Sequence, residues 1–201
     1  MTRIKFCGMV RDEDVDLAVS LGVDAVGFVL WAGSPRHVDT AEVARLTERL
    51  PASILPVGVF VDPTADEVTR AVDAGIRAAQ LHGLDQMPSW PVPCELWMAA
   101  RLVADGYAPV VGEDCTLVLD SHDPVRHGGT GRPIDWTRAA RVAATRRVVL
   151  AGGLTAANVA EAIRMVRPYA VDVASGIEDR PGMKNGRAMR DFVAAARQGP
   201  S

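Results

Sequence analysis

Cys7 and Asp120 are the two side chains whose type and context fit proton transfer. Each ends a short apolar run. Ile4-Lys5-Phe6-Cys7 is followed by Gly8, and Thr116-Leu117-Val118-Leu119 leads into Asp120. A thiol and a carboxylate that end strands of one closed parallel sheet point into the same mouth, where one can act as acid and the other as base. Each has a plainer reading. A free cysteine is often a small buried hydrophobe, and an Asp after a strand often caps a loop. Against the second reading, a carboxylate ending an apolar strand is costly unless it faces a polar mouth.

Two further segments carry anion chemistry. Ala151-Gly152-Gly153-Leu154-Thr155 runs into a helical pattern, and Ser175-Gly176-Ile177 follows the last strand. Glycine lets backbone N–H groups approach a phosphate closely, and helix N-termini favour negative charge. Gly152, Gly153, Ser175 and Gly176 are therefore expected to bind phosphate, the alternative being that the glycines only make tight turns. Arg36, in Gly33-Ser34-Pro35-Arg36-His37, offers a two-pronged donor for a carboxylate or is an ordinary surface arginine. Asp172 lies between Val171 and Val173 and must point into the barrel or find a partner, as site wall or structural network. His82 ends Gln80-Leu81-His82-Gly83 and reads as a satisfied interior polar group. A long Gly-rich loop carrying Gly129, Thr130 and Gly131 is expected to be a lid or a plain connector. Cys94 and Cys115 begin strands, which places them at the structural end.

The elements that must position these groups follow from periodicity. Short, continuously apolar runs predict strands over 3–7, 25–30, 54–61, 77–81, 94–100, 115–120, 147–150 and 169–174. Runs buried on both faces belong to parallel sheets covered by helices. Amphipathic segments lie between them: 12–21, 40–50, 64–74, 155–166 and 186–196. Eight strand–helix units predict one (β/α)8 barrel domain spanning 1–201, with right-handed crossovers. Such barrels have about 250 residues, with a lower limit near 200, so this one must be stripped down. Met87-Pro88-Ser89-Trp90-Pro91-Val92-Pro93 cannot hold a long helix, and 104–114 is interrupted by Gly and Pro. Helices 4 and 5 are expected to be shortened. The competing fold, an open doubly wound sheet, would not need eight strands and usually shows a Gly-rich first turn. Cys7-Gly8-Met9-Val10-Arg11 is not one.

Composition narrows the partners. The 201 residues carry a net charge of −3, with 48% hydrophobic and 23% charged residues. That balance fits a single soluble domain and gives no footprint for nucleic acid or an anionic membrane. No apolar run approaches spanning length, and the N-terminus has no signal-peptide pattern. Three cysteines without ligand spacing read as free thiols in a cytoplasmic protein, monomer or homodimer.

Taken in order, Phe6-Cys7-Gly8, 24–29 (DAVGFV), Ser34-Pro35-Arg36, Val57-Gly58-Val59-Phe60, Gln80-Leu81-His82-Gly83, Gly128-Gly129-Thr130-Gly131, 150–154 (LAGGL) and 171–178 (VDVASGIE) resemble phosphoribosylanthranilate isomerase. Each is weak alone; eight in order cover nearly the whole chain. The resemblance implies an Amadori rearrangement of N-(5′-phosphoribosyl)anthranilate in tryptophan biosynthesis. Cys7 matches the general base, Asp120 the general acid, Arg36 the anchor for the anthranilate carboxylate, and Asp172 a residue near the sugar and amine. The base must then ionise while the acid keeps its proton, so their surroundings are expected to push the carboxyl pKa up and keep the thiol pKa low enough to ionise. The substrate is a phosphosugar, and the chemistry requires no metal or redox cofactor. Phe6 and Ala174 stand where the family more often has a smaller apolar residue and a Ser. The related isomerase of histidine biosynthesis, which takes a bisphosphate, remains an alternative. So does a non-catalytic phosphosugar-binding barrel, although the presence of both Cys7 and Asp120 argues against it.

Overall fold

Alternation along the first strand divides the molecule into two cores. In β1 (Arg3–Cys7), Ile4 and Phe6 face outward, where Phe6 meets Phe192 edge to face with ring centroids 6.1 Å apart. Lys5 and Cys7 face the other way, into the barrel. The period of two along a strand gives this split.

The computed structural model describes residues 1–103, 106–108, 111–112, 114–120 and 135–198. After β1 come α1 (Asp12–Leu21), β2 (Ala25–Val29), α2 (Thr40–Thr47), β3 (Leu55–Val61), α3 (Ala65–Asp73) and β4 (Ala78–His82). Then β5 (Glu95–Val103) and β6 (Gly106–Ala108) form an antiparallel hairpin. β7 (Thr116–Leu119), α4 (Trp136–Ala143), β8 (Val148–Leu150), α5 (Val159–Val166) and β9 (Ala170–Val173) follow. A short ribbon, β10 (Glu178–Arg180) with β11 (Met183–Lys184), precedes α6 (Gly186–Arg197). The order β4-β3-β2-β1-β9-β8-β7-β5, with β4 pairing β5, closes eight parallel strands into a ring. This is the expected (β/α)8 barrel.

Helix boundaries follow their caps. α1 has the expected limits. α2 is capped by Asp39 rather than Thr40, with Glu42 returning the bond, and Thr64 with Glu67 does the same for α3. α5 starts four residues later than the pattern implied. Asn158 intervenes: its Oδ1 accepts from the Thr155 N–H at 2.8 Å, and its Nδ2 donates to the Gly153 carbonyl at 2.9 Å. The side chain thereby braces the Gly152–Gly153 loop.

Helices 4 and 5 are not merely shortened. Among the described residues, none between β4 and β5, or between β5 and β7, is helical. The prolines at 88, 91 and 93 remove donors and fix φ. After β5 the strand overruns the ring and returns as β6, with Gly106 at φ +141. Leu102 and Tyr107 of this hairpin pack on the outer core.

The inner core is small. Ala25, Val57, Ala78, Trp97, Val118, Val149, Ala151 and Ala170 fill the barrel's lower interior. Above them the interior turns polar. Cys115 is buried, with its Sγ against the Leu96 carbonyl, and Cys94 is half-buried at the start of β5. Both lie at the structural end, as expected.

Candidate active site

The C-terminal ends of the ring strands enclose a cavity of about 490 Å³, within the range of small-molecule sites. Cys7, Arg36, Asp120 and Asp172 all line it, and so do Gly152, Gly153, Ser175 and Gly176. Strand-end residues far apart in sequence thus converge on one mouth. His82 and Gln80 also reach it. The Gly129, Thr130 and Gly131 loop lies outside the described residues.

Below the mouth runs a polar chain that sequence reasoning only half anticipated. Lys5 is fully buried, and its Nζ donates to Asp172 Oδ2 at 2.9 Å and to Gln80 Oε1 at 3.0 Å. Lys5 and Asp172 are register partners on β1 and β9. Gln80 Nε2 lies 2.8 Å from His82 Nε2, so the amide, which accepts from Lys5 through Oε1, donates one of its two N–H groups to the imidazole. Asp172 is therefore both cavity wall and structural partner. Its Oδ1 is buried and has no hydrogen-bond partner among the described residues.

Gly27 makes room for this arrangement. It sits opposite Cys7 in the β1–β2 register. A Cβ at Gly27 would fall 2.9 Å from Cys7 Sγ and 3.2 Å from Lys5 Nζ. Thiol and ammonium thus share the space that glycine leaves. Burial pushes the Cys7 thiol above its ordinary value. The positive charge of Lys5 opposes the shift, as does Lys184, while Asp172 adds to it. Burial wins because Cys7 is only 8% exposed. Lys5 itself is held above its usual pKa: burial opposes the charged form, but Asp172 and Cys7 favour it more.

Arg36 is not a loose surface arginine. Its Nε and Nη2 donate to Glu178 Oε1 and Oε2 at 2.9 and 2.6 Å. Glu178, from the ribbon after β9, was not singled out in the sequence. Burial pushes its pKa up, but bonds from Arg36 and Lys184 bring it below the usual carboxylate range. Lys184, also missed, has a buried ammonium 2.8 Å from Glu178 Oε1.

The two glycine segments lie against each other. Gly152 and Gly153 adopt φ of +85 and +66, the left-handed region that suits glycine. A Cβ at Gly176 would overlap the Leu154 carbonyl, so the two loops approach as closely as backbone allows. Ser175–Ile177 forms a short 3-10 turn.

A closed parallel barrel whose strand ends enclose one polar cavity has the architecture of a (β/α)8 enzyme. Residues 4–195 match the family model for N-(5'phosphoribosyl)anthranilate (PRA) isomerase. N-(5'-phosphoribosyl)anthranilate isomerase from Chromohalobacter salexigens is 44% identical over 198 residues, covering 96% of this chain and 93% of that protein. The crystal structure of phosphoribosyl anthranilate isomerase from Thermus thermophilus superposes with a TM-score of 0.84 at 35% identity, covering 98% and 99%. Another phosphoribosyl anthranilate isomerase, solved with reduced 1-(o-carboxyphenylamino)-1-deoxyribulose 5-phosphate, gives 0.80 at 29% identity, covering 98% and 100%. The chain belongs to the PRA isomerase family. Among the described residues, no helix is long and apolar enough to cross a membrane.

Proposed function

We propose that this chain converts N-(5′-phosphoribosyl)anthranilate to 1-(2-carboxyphenylamino)-1-deoxyribulose 5-phosphate, with Asp120 as general acid and Cys7 as general base. The observation that carries the reading is that both residues line one cavity with Arg36 and the glycine loops after β8 and β9. The phosphate rests on the backbone N–H groups around Gly152, Gly153, Ser175 and Gly176, and the anthranilate carboxylate meets Arg36. Asp120 gives a proton to the furanose oxygen as the C1–O bond breaks and the nitrogen lone pair forms C1=N. Cys7, as thiolate, then takes the C2 proton. The C–H electrons become C1=C2, and the C1=N pair returns to nitrogen. Loss of the enol proton and protonation of C1 give the ketose, so no net atoms or electrons are gained.

Burial raises the Cys7 pKa, and Lys5 and Lys184 oppose that shift by favouring the thiolate that the reaction needs. Each proton transfer contributes on the order of 10²–10⁴-fold. Asp172 Oδ1, buried and without a hydrogen-bond partner among the described residues, suits a hydroxyl or amine of the sugar. The rim at β3 favours a monophosphate. Asp62 follows β3, Pro63 removes a backbone donor, and no glycine pair is present. Adding the protein to freshly made substrate should abolish its anthranilate-type fluorescence at a rate proportional to enzyme. The bisphosphate of the histidine-pathway reaction should not be turned over usefully. No decay with the first substrate, or comparable kcat/KM on both, would contradict the proposal.

A further inference from the structure

The guanidinium proposed to hold the substrate carboxylate already holds one. Arg36 commits its Nε–Nη2 edge to Glu178. Its five N–H donors are fixed in one plane, so an occupied edge fixes where the others point. Among the described residues three remain uncommitted, and they include the matched pair at the Nη1–Nη2 end. Arg36 lines the cavity, and that end has the spacing a carboxylate needs.

Glu178 is held by four donors within the protein, three of them on Oε1. Oε1 accepts from Arg36 Nε at 2.9 Å, Lys184 Nζ at 2.8 Å and the Gly182 N–H at 3.3 Å, and Oε2 accepts from Arg36 Nη2. A carboxylate offers about four acceptor positions. Glu178 is thus engaged within the protein and acts on substrate through Arg36.

The three donors of Lys184 Nζ are all used. Its Nζ donates to Glu178 Oε1, to the Ala174 carbonyl at 3.1 Å and to the Cys7 carbonyl at 2.6 Å. Three acceptors around one nitrogen require three N–H groups, which only the ammonium has. The Lys184 main chain is held in turn: its N–H donates to Asp14, and its carbonyl accepts from Arg11. Two cations and one anion leave this trio with one net positive charge. Without Lys184, Arg36 and Glu178 would cancel, and an incoming carboxylate would meet a neutral pair.

We infer that Glu178 and Lys184 are the positioning residues for carboxylate recognition: Glu178 aims the free end of Arg36 into the cavity, and Lys184 restores the positive charge that Glu178 cancels. Lys184 also ties this anchor to the strand end carrying Cys7, which fixes the distance between the substrate's carboxylate and the base. The inference rests on Arg36 as carboxylate anchor, so its test treats the two separately.

The probes are reduced 1-(o-carboxyphenylamino)-1-deoxyribulose 5-phosphate and its phenylamino analogue lacking the carboxylate. The readout is the ratio of their dissociation constants by calorimetry, with circular dichroism reporting folding. Lys184→Met removes the charge and should reduce the preference for the carboxylated ligand by at least ~10-fold; Lys184→Arg should restore most of it. Glu178→Gln with Lys184→Met keeps one net positive charge, on Arg36, and leaves neither position 178 nor 184 as an unpaired ion. It should still lose preference because Arg36 is no longer aimed, and it decides the question if Lys184→Met does not fold. Because Lys184 also favours the Cys7 thiolate, kcat should fall in the Lys184→Met variants as well, and the ratio of dissociation constants is what reports recognition. A wild-type ratio in the folded variants, or equal loss for both ligands, overturns the inference. An unchanged ratio in Arg36→Met instead removes the anchor reading.

Discussion

The lower and upper halves of the barrel interior obey opposite rules. Below, Val57, Val118, Val149, Ala78 and Trp97 fill the ring with apolar side chains. Above, Lys5 and Asp172 form an ion pair at 2.9 Å with side-chain exposures of 0% and 8%. The same strands supply both halves. The difference lies in what each layer does when disturbed. An apolar layer loses packing in proportion to the atoms removed. A charged layer strands its partner, and a buried ion without a partner costs far more than the intact pair contributes. The site therefore sits on the part of the interior least tolerant of change, above a part that supplies stability without taking part in chemistry.

Breaking the charged layer should give the largest effect on stability. Lys5→Met leaves Asp172 buried without its counter-ion and should cost about 3–5 kcal/mol in denaturant unfolding. A value below that of an apolar deletion would mean the two layers are not distinct. Breaking the apolar layer should give less. Val149→Ala removes two methylene-sized groups, about 2 kcal/mol with the cavity it leaves, while kcat of the folded protein stays near wild type. A large fall in kcat there would show that the layers are coupled.

The charged layer also has a pH signature. The base works deprotonated and burial holds the Cys7 pKa above its ordinary value, so kcat/KM should still be climbing between about pH 8 and 9. Lys5→Met withdraws a positive charge that lowers this pKa, so its rising limb should move to higher pH. A limb at the wild-type position would show that Lys5 does not act on the thiol. At the small end, Arg49 pairs with Asp16 and Asp12 on the exposed face. Such pairs contribute little, and Arg49→Ala should leave the melting temperature within error.

Local and long-range determinants differed in how well they could be read from the sequence. Strand positions, the limits of α1 and the convergence of Cys7, Arg36, Asp120 and Asp172 followed from period and from where strand ends fall in a closed barrel. Lys5 did not. A lysine inside an apolar run has no local explanation, and its partner Asp172 lies 167 residues away. Only closure of the ring puts the two in register. Glu178 and Lys184 were missed for the same reason, since their roles exist only once the β10–β11 ribbon folds back over β1. The prolines marked where helices 4 and 5 fail, yet nothing local announced the β5–β6 hairpin that occupies part of that space.

The account stands on Cys7 and Asp120 being the proton-transfer pair. The direct measurement is kcat for Cys7→Ala and Asp120→Asn at saturating N-(5′-phosphoribosyl)anthranilate, with folding checked in parallel. Each should fall by at least about 10²-fold while KM barely changes, because each variant loses a proton transfer rather than a ground-state contact. Near wild-type kcat in either folded variant would contradict its assigned role.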